Sequence, residues 1–446
     1  MSKPALSVIG LGYVGLTTAL CFANRGFKVF GVDINKEVVE EIKRGEAPFY
    51  EPGIDSLLKN ALSRESFTPT TDYVDAITNT EISFVTVGTP SRADGSIELR
   101  FVEKACKNIG VCLKNKDSYH LIVIRSTVIP GTTQNLVKPT LEKHSSRKCG
   151  VDFGLCMNPE FLREGSAVHD TLHPDRLVIG EYDKRSGDVL FNLYKEFYGE
   201  DIPPIIRTNL VNAELIKYAS NAFLATKISF INEIANLCQK IPEADVVTIA
   251  DAMGLDKRIG RLFLNAGLGY GGSCFPKDVK AFIKFGEEKG LSLKILKAVD
   301  EVNEEQPYKA IELAKMALGS LKGKNVAVLG LSFKPKTDDM RNASSIKVVN
   351  ALVKEGAHVR VYDPVSLEKA RKIFGQSVTY VSSAKECILN ADCAIIVTEW
   401  DEFAKLSPSF FKENMKNPLV IDGRRIYKYQ EFEAQGVKLL AIGLGV

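Results

Sequence analysis

The chain has 446 residues, 25% of them charged, with a formal net charge of only +3. This length predicts about two or three domains. The near balance of charge, without a basic block, argues against a nucleic-acid partner and favours small-molecule ligands. Its apolar runs are too short for a membrane span, and its start lacks the order of a signal peptide, so we expect a cytoplasmic protein.

The cysteine and histidine patterns argue against a structural metal or disulfides. The nine cysteines are odd in number and include no Cys-x-x-Cys pair, which is typical of neither a disulfide framework nor a zinc site. Only His169 and His173 have helical metal-ligand spacing, and a proline follows His173 directly, which argues against a continuous helix there. We predict no bound metal.

The first segment reads ALSVIGLGYVGLTTALCFANRGFKVFGVDINKE, a strand, a glycine turn, a helix and a second strand that ends at Asp33. Its Gly10, Gly12 and Gly15 have the G-x-G-x-x-G spacing of a dinucleotide-binding turn, with the acid at the usual distance beyond it. A carboxylate there binds the ribose hydroxyls of NAD and repels the 2′-phosphate of NADP. NAD is therefore the predicted cofactor, and Lys36 is the one nearby cation that could weaken this discrimination.

Two further strands, in ISFVTVGTP and HLIVIRSTV, end in small hydroxylated residues. Open parallel sheets bind their ligands at the carboxyl ends of the strands. Thr89, Ser126 and Thr127 are therefore predicted neighbours of the cofactor.

The strand and turn pattern recurs near the other end of the chain, in KNVAVLGLSFKP, EGAHVRVYDP and DCAIIVTEW, with Asp363 in the place of Asp33. Here Ser332 stands where Gly12 stands in the first copy, and the turn continues through Lys334 to Lys336. A pyrophosphate at a helix N-terminus fits this turn less well. The second half is therefore expected to bind a different phosphate-containing ligand.

Residues 211–240 contain neither glycine nor proline, and Asn209 is a candidate N-cap, so this segment predicts one long helix. The fold class that follows is α/β, with two Rossmann-like doubly wound domains joined by a long central helix. We place an N-terminal NAD-binding domain at 1–208, a central helical dimerisation region at 209–310 and a C-terminal Rossmann-like domain at 311–446. The apolar residues cover a wide arc of the helix, which predicts at least a homodimer.

The stretch GLGYGGSCFPKD has four glycines within six residues before Cys274, which predicts that a ligand or a second backbone lies against the loop. Pro276 suits the first position of a following helix, and Asp278 falls in its first turn. A helix N-terminus and nearby lysines, including Lys277, would lower the pKa of the thiol and make it a nucleophile. The alternative is a cysteine that serves as a small buried hydrophobe.

Two pairs of polar residues have i, i+4 spacing. Lys217 and Asn221 lie on one face of the predicted long helix, within the largely apolar ELIKYASNAF, which indicates donors directed into a cleft. Glu160 and Glu164 follow a strand in MNPEFLREGSA. Their position at the edge of the first sheet favours a proton-transfer role for one of them.

These motifs together resemble one family over nearly the whole chain and in the same order. The segments are GLGYVG with Asp33, STV, NPEFLREG, KYASNAF, FLNAGLGYGGSCFPKD, FKPKTDDMR and DGRR. They are similar to the UDP-glucose/GDP-mannose dehydrogenase family, most of all to its UDP-glucose branch. The resemblance implies four-electron, NAD-dependent oxidation of UDP-glucose to UDP-glucuronate through a thiohemiacetal and a thioester on a cysteine. Dehydrogenases of GDP-mannose or of a UDP-N-acetylhexosamine are the alternatives within the family.

The resemblance also implies that the C-terminal domain at 311–446 binds the nucleotide sugar, and it assigns roles to residues of this chain. The cysteine nucleophile is Cys274, Lys217 and Asn221 stabilise the oxyanion, Asp278 and Glu160 handle protons, and Thr127 helps to hold water. The residues implied for cofactor binding are Gly10, Gly12, Tyr13, Val14, Gly15, Asp33, Lys36, Thr89, Ser126, Thr127, Glu164 and Lys277. Those implied for the substrate are Glu160, Phe161, Leu162, Lys217, Asn221, Arg258, Phe263, Gly271, Lys334 and Arg424, of which Arg258 is expected to reach the site of a neighbouring subunit.

Two readings outside this chemistry remain open. A two-electron dehydrogenase of the hydroxyacid type would share the fold but would have no use for Cys274 in a glycine loop. A non-catalytic nucleotide-binding regulator with a redox-sensing thiol is supported only by the number of cysteines.

Overall fold

The structure, a computed structural model, describes residues 3–445 and divides after Ser220 into two compact units. Unit 1 comprises the chain up to Ser220, and unit 2 begins at Asn221. The predicted three-part division of the chain at 208 and 310 stays a prediction. Each unit is built around one sheet, and each is described by itself below.

Unit 1 contains an eight-stranded sheet in the order β3-β2-β1-β4-β5-β6-β7-β8. All neighbouring strands are parallel except β6 and β7. The strands are β1 (Leu6–Ile9), β2 (Val29–Val32), β3 (Phe67–Thr70), β4 (Ile82–Val85), β5 (His120–Ile124), β6 (Phe153–Met157), β7 (Leu177–Glu181) and β8 (Ile205–Asn209). The central strands are buried along their whole length, as continuous apolar runs in parallel sheets usually are.

Helices cover both faces of this sheet. They are α1 (Tyr13–Asn24), α2 (Lys36–Lys43), α3 (Ile54–Ser63), α4 (Tyr73–Thr78), α5 (Arg100–Leu113), α6 (Lys138–Ser145), α7 (Ala167–Leu172) and α8 (Lys184–Tyr198), with a π turn at Thr133–Val137 and a 3-10 turn at Gly199–Asp201. Leu121 and Val123 of β5 belong to the core that contains α1 and α8, whereas Ile122 and Ile124 belong to the core that contains α5. This alternation shows a doubly wound sheet.

One long helix, α9 (Leu210–Cys238), runs without interruption for 29 residues through the division between the units. Asn209 accepts a hydrogen bond from the backbone N–H of Asn212 at 2.8 Å, which is the N-cap interaction expected of it. The predicted long helix is thus confirmed. Within residues 3–445, no helix combines the length and the apolar composition required to span a membrane.

Unit 2 has a six-stranded, wholly parallel sheet in the order β11-β10-β9-β12-β13-β14. Its strands are β9 (Asn325–Leu329), β10 (His358–Tyr362), β11 (Thr379–Tyr380), β12 (Cys393–Ile396), β13 (Leu419–Asp422) and β14 (Lys438–Ala441). The first six strands of unit 1 follow the same 3-2-1-4-5-6 order of a dinucleotide-binding sheet. The predicted fold class, two Rossmann-like sheets and a long helix, is confirmed.

The helices of unit 2 fall into two groups. Before the sheet come α10 (Val246–Gly254), α11 (Phe275–Glu288), α12 (Lys294–Glu305) and α13 (Lys309–Leu318), with a 3-10 turn at Gln306–Tyr308. Within the sheet lie α14 (Ser344–Lys354), α15 (Leu367–Phe374), α16 (Ala384–Ile388), α17 (Asp401–Ala404), α18 (Pro408–Asn414) and α19 (Tyr429–Ala434).

A buried polar chain crosses three strands of unit 1. The Ser7 and Ser83 hydroxyls lie 2.6 Å apart, Ser83 Oγ lies 2.7 Å from His120 Nε2, and His120 Nδ1 lies 3.0 Å from the carbonyl oxygen of Thr80. Since a carbonyl only accepts, Nδ1 carries the proton and Nε2 accepts from Ser83. Burial, and then the charge of Lys116, lower the pKa of His120 to about 3.

This imidazole predicts a pH-dependent stability. In the unfolded chain a histidine has a pKa of about 6.5, so below that pH the unfolded state binds a proton that the folded state excludes. The contribution of neutral His120 is therefore complete above about pH 6.5 and is lost as pH falls toward 3. Relative to His120→Gln, wild-type stability should fall by up to about 1.4 kcal/mol per pH unit below pH 6.5.

Urea unfolding at pH 7 and pH 5 measures this difference, and the exposed His173, changed to Gln, is the matched control. Equal pH slopes for wild type and His120→Gln would contradict the burial of a neutral imidazole.

Candidate functional site

The three glycines of the first turn have separate structural reasons. Gly10 has φ of +99°, and a Cβ there would lie 3.0 Å from the backbone of Val87. A Cβ on Gly15 would lie 1.8 Å from the carbonyl oxygen of Gly10, so α1 packs directly on the turn. A Cβ on Gly12 would meet nothing within 4 Å. The protein itself therefore requires glycine at the first and third positions, while Gly12 leaves its face of the backbone open.

This open face fits a dinucleotide phosphate. Gly12 is the N-cap of α1, and no side chain caps the helix there, so the N–H groups of Tyr13 and Val14 stand at a helix N-terminus suited to an anion. Tyr13 stacks on Phe49 with ring centroids 3.9 Å apart, and its hydroxyl donates to the carbonyl of Tyr50 at 3.2 Å. The turn is thus held in shape by its own packing.

Asp33 lies directly after β2, where an acid for the ribose is expected. Its Oδ2 accepts from the backbone N–H of Leu11 at 2.8 Å, and its Oδ1 accepts from that of Asn35 at 2.9 Å. Each carboxylate oxygen keeps acceptor capacity for a further donor. Lys36 begins α2 and is exposed.

Two of the three predicted hydroxyls tie two loops together at the same edge of the sheet. Thr89 Oγ1 donates to the carbonyl of Thr127 at 2.9 Å, and Ser126 Oγ donates to the carbonyl of Val87 at 2.6 Å. The donor hydrogens of Thr89 and Ser126 are therefore used within the protein. Both can still accept a hydrogen bond.

Glu160 and Lys217 form a buried ion pair in unit 1, exposed by only 6% and 3%. Lys217 Nζ lies 3.0 Å from Glu160 Oε1 and 2.7 Å from its backbone carbonyl, and Glu160 Oε2 accepts from the Leu162 N–H at 2.6 Å. Burial alone would raise the pKa of Glu160, but Lys217, the Leu162 N–H and Arg125 outweigh it and hold the pKa below its usual value. Glu160 is therefore a desolvated carboxylate.

Glu160 and Glu164 do not share a helix face, despite their spacing. Residues 158–163 form no helix or strand, and a turn follows at 164–165. Next to Glu160, the ring of Phe161 lies under the guanidinium of Arg176 at 3.9 Å and has Lys217 Nζ at 5.5 Å from its centroid. The structure brings Glu160 to Lys217.

In unit 2, Asn221 and Lys277 meet on one carboxylate. Asn221 Nδ2 donates to Asp278 Oδ2 at 2.6 Å, and Lys277 Nζ donates to Asp278 Oδ1 at 2.5 Å. Asp278 is 1% exposed and Asn221 6%. The two polar residues predicted on α9 therefore have different partners: Lys217 binds Glu160, and Asn221 binds Asp278.

Cys274 is the N-cap residue of α11, and its side chain is half-buried. Pro276 is the second helical residue rather than the first, because α11 begins at Phe275, and proline is equally tolerated in this first turn. Cys274 Sγ lies 3.4 Å from Ser273 Oγ. Among the nine cysteines, all within residues 3–445 and none in a disulfide, only this one and Cys112 are not fully buried.

The glycines before Cys274 make room for protein atoms of unit 2. A Cβ on Gly271 would lie 2.4 Å from the carbonyl oxygen of Asn342, and one on Gly269, where φ is +86°, would lie 2.7 Å from Asn303 Oδ1. Gly272 donates its N–H to the carbonyl of Arg341 at 2.8 Å. At Gly271 a second backbone lies against the loop, which is one of the two predicted reasons for this glycine density; the other, a ligand against the loop, stays a prediction.

The second Rossmann turn is built differently from the first. Its helix α14 begins 15 residues after β9 ends, at Ser344, so the turn ends at no helix N-terminus. Asp363 is fully buried, and its Oδ2 accepts from the Leu331 and Ser332 N–H groups and from Trp400 Nε1 at 2.7–3.2 Å. Asp363 therefore stabilises the fold, and neither of its carboxylate oxygens is exposed to bind a ribose.

The remaining predicted substrate residues all lie in unit 2, and Arg424 and Phe263 contact the segment around Cys274. Arg424 donates to the carbonyls of Val397 and Gly269 at 2.6 and 3.3 Å, while Lys334 is half-buried beside the ring of Phe333 at 5.7 Å. Arg258 is exposed and pairs with Asp256 at 2.6 Å. Phe263 has φ of +66° and packs near Phe275 with ring centroids 6.2 Å apart.

Sequence reasoning missed two buried polar residues beside Glu160, namely Arg125 and Asn158, which bind each other. Arg125 directly precedes Ser126 and Thr127, and Asn158 is the first residue of NPEFLREG. Their positions at or beside predicted site motifs were the signal that could have identified them. In the described part of the chain, no three or more His, Cys, Asp and Glu side chains are grouped to hold a metal ion.

Comparison with known proteins places the chain in a family. Residues 5–198 match the NAD binding domain of the UDP-glucose/GDP-mannose dehydrogenase family, residues 211–305 its central domain and residues 327–429 its UDP binding domain. The chain is 43% identical to the UDP-glucose 6-dehydrogenase AglM of Haloferax volcanii, over 96% of this chain and 98% of that protein.

Two solved structures are similar over nearly their whole length. A UDP-glucose dehydrogenase from Pyrobaculum islandicum has a TM-score of 0.91 and 42% identity, covering 99% of this chain and 98% of that one. A UDP-D-ManNAc dehydrogenase from Pyrococcus horikoshii has a TM-score of 0.87 and 29% identity, covering 99% of both chains.

The sheets, the glycine turn with Asp33 and these matches define a nucleotide-sugar dehydrogenase. The chain belongs to the UDP-glucose/GDP-mannose dehydrogenase family, as the sequence motifs predicted. It is an oxidoreductase that uses NAD, and it acts on a nucleotide sugar. The role of each individual site residue stays a prediction.

Replacing Asp33 by Asn tests the ribose site. Loss of the negative charge should weaken NAD binding by at least about tenfold, because hydrogen bonds to a charged acceptor are worth roughly 1.5–3 kcal/mol. The preference for NAD over NADP should narrow, since the charge that repels a 2′-phosphate is gone. Calorimetric titration with both cofactors measures this, with the exposed Asp55→Asn as control. An unchanged preference would show that Asp33 does not select the cofactor.

Proposed function

We propose that this chain oxidises UDP-glucose to UDP-glucuronate in two successive two-electron steps, the second of them on a substrate held covalently. The observation that carries the proposal is Cys274, a half-buried cysteine outside any disulfide at the N-terminus of α11. The relatives named for UDP-glucose, at 42–43% identity, support this sugar over the UDP-D-ManNAc of the relative at 29%. GDP-mannose and UDP-N-acetylhexosamines are the competing substrates for the experiment.

The chemistry proposed for Cys274 accounts for the second oxidation. NAD, when bound, accepts the hydride released in each of the two oxidations. The Cys274 thiolate adds to C6 of the intermediate aldehyde and forms a thiohemiacetal, and loss of a second hydride converts that adduct to a thioester. Water hydrolyses the thioester to the carboxylate and returns the thiol. The partial positive charge at the N-terminus of α11 favours the thiolate.

The remaining roles rest on charge and burial. The Lys217 ammonium is a desolvated cation suited to a developing oxyanion, with the Asn221 amide as a neutral donor. Glu160, kept ionised beside Lys217, can accept a proton, and Asp278 can act likewise through the oxygens that bind Asn221 and Lys277. Thr127 is proposed to hold the attacking water, and Glu164 to assist at the cofactor.

We assign the cofactor to the open turn of unit 1 and the nucleotide sugar to residues of unit 2. The N–H groups of Tyr13 and Val14 would bind phosphate, and Asp33 a ribose. Lys334 and Arg424 would supply cations to the sugar's diphosphate. The free cysteines, none of them in a disulfide among residues 3–445, support a reducing, cytoplasmic location.

A homodimer is proposed from an apolar row on α9. Phe223, Phe230 and Leu237 are 66%, 46% and 56% exposed, and their spacing of seven residues places them along one face of the helix. An exposed apolar row of this length is unfavourable in water and is covered in a twofold dimer by the same row of a second copy. Arg258 is proposed to act in the site of that second copy.

Changing Cys274 to Ser tests the covalent steps. A serine hydroxyl is far less acidic than a thiol and a poorer acyl leaving group, so turnover should fall by at least about 1,000-fold, as when other catalytic nucleophiles are removed. Wild type should release two NADH per UDP-glucose and form UDP-glucuronate. The half-buried Cys112, changed to Ser, is the matched control and should keep full activity.

The assay follows NADH absorbance with UDP-glucose, GDP-mannose and UDP-N-acetylhexosamines in parallel, and mass spectrometry searches for a sugar adduct at position 274. Release of one NADH per substrate by wild type would favour a two-electron dehydrogenase, and no turnover with any nucleotide sugar would favour a regulator. Near wild-type activity in Cys274→Ser would refute the thioester.

Changing Phe230 to Glu tests the dimer. A buried, unpaired carboxylate at the middle of the apolar row costs several kcal/mol per subunit, so the variant should sediment as a monomer. Val74, an exposed apolar residue on α4 of unit 1, gives the control Val74→Glu, which should keep the wild-type mass. A wild-type monomer, or an unaltered Phe230→Glu dimer, would exclude this row as the interface.

A further inference from the structure

Arg125 is a buried arginine at the end of β5, exposed by only 7%. Its Nη1 donates to Asn158 Oδ1 at 2.5 Å and to the hydroxyl oxygen of Tyr194 at 3.1 Å. The Tyr194 hydroxyl donates to the same Asn158 oxygen at 2.5 Å, and Asn158 Nδ2 donates to the carbonyl of Val178 at 2.8 Å. Arg125, Asn158 and Tyr194 therefore form one closed polar cluster.

No carboxylate neutralises this guanidinium. Among the residues that the structure describes, none forms an ion pair with Arg125, and its Nε–H has no acceptor. A buried charge without a counter-charge costs several kcal/mol, and an apolar side chain of similar volume would avoid that cost. Stability alone does not explain an arginine here.

The charge of Arg125 acts on Glu160, which lies two positions after Asn158. Three groups oppose the burial of its carboxylate: the Lys217 ammonium, the Leu162 N–H and the Arg125 guanidinium. The first two contact the carboxylate directly. Arg125 is bonded to Asn158, so it acts on Glu160 through its field and through the backbone that both residues share.

The partners of Arg125 suit this action. An amide oxygen and a phenol hydroxyl satisfy hydrogen bonds of the guanidinium without adding negative charge. The full positive charge therefore remains effective at Glu160, in a desolvated region where charges interact strongly.

We propose that Arg125 is a positioning residue for the reaction: through Asn158 it fixes the segment that carries Glu160, and its charge keeps that carboxylate ionised while Lys217 is engaged with the substrate. This inference rests on the proton-accepting role proposed for Glu160. An arginine is required for the geometry, and any cation at that position for the charge.

The variants Arg125→Met and Arg125→Lys separate the two contributions. Arg125→Met removes the charge. The midpoint of Glu160 protonation should then move to higher pH by about one unit, because a nearby opposite charge lowers a carboxyl pKa by roughly 1–3 units. The acidic limb of the pH profile of kcat should then lie about one pH unit above that of wild type. Arg125→Lys should keep the wild-type profile with a reduced kcat.

Lys116→Met is the matched control. Lys116 is another buried cation of unit 1, 8% exposed, and it donates to the carbonyls of Ile77 and Thr80. Its loss should lower the stability of the protein as Arg125→Met does, but it should leave the pH profile of kcat unchanged. A purely structural role for Arg125 would make the two variants alike.

Isotope-edited infrared titration of protein labelled with 13C-glutamate reads the protonation of Glu160 directly, with Glu160→Gln identifying its band. An upward shift of the band in Arg125→Met supports the inference, whether or not turnover follows it. If the band shifts and the pH profile of kcat does not, the proton-accepting role proposed for Glu160 fails, while the effect of the Arg125 charge on that carboxylate is retained. An unshifted band in a folded Arg125→Met protein overturns the inference.

Discussion

The buried ion pair between Glu160 and Lys217 is the interaction on which the site of unit 1 depends. Each group alone would cost several kcal/mol in a region of low dielectric, and together they lie 3.0 Å apart with exposures of 6% and 3%. Lys217 Nζ also donates to the backbone carbonyl of Glu160, so two contacts with Glu160 hold the ammonium in place. The irregular loop after β6 is thereby fixed to α9. Because apolar residues can replace a buried pair without loss of stability, its presence is better explained by the chemistry proposed for the two groups.

The two Rossmann sheets show how one topology comes to serve two ligands. Both follow the same strand order, but α1 begins at Tyr13, four residues after β1 ends, whereas α14 begins 15 residues after β9. In unit 1 the short turn leaves a helix N-terminus and an available acid, Asp33. In unit 2, Asp363 is fully buried and accepts from Ser332 and Trp400 in addition to Leu331, the counterpart of Leu11. The ligand of each sheet is thus decided by the turn and not by the sheet.

Local sequence patterns predicted much of this architecture. The features that they did not predict depend on contacts between residues far apart in the sequence. The G-x-G-x-x-G turn, Asp33 and the long helix are local, and periodicity with turn chemistry sufficed for them. Glycine is required before Cys274 because of Asn303 and Asn342, which are about 30 to 70 residues away in sequence. The spacing of the glycines therefore showed only that some group lies against the loop. The spacing of Glu160 and Glu164 indicated a shared face, but Pro159 and Gly165 flank a segment without helix. Arg125 was missed because only the folded chain shows that its partners are neutral.

The charges of the two buried clusters differ in a way that matches the proposed reaction. In unit 2, Asp278 is balanced by Lys277, and Asn221 adds no charge. In unit 1, Glu160 is balanced by Lys217, and Arg125 is left as a surplus cation. Oxidation of an alcohol to a carboxylate develops negative charge on oxygen at each stage, and a fixed positive charge in a desolvated region lowers the free energy of each such species. A carboxylate in place of Asn158 would remove the cost of burying Arg125, but it would also cancel this field. A neutral amide and a phenol hydroxyl preserve the field while satisfying hydrogen bonds, which explains why the cluster contains no acid.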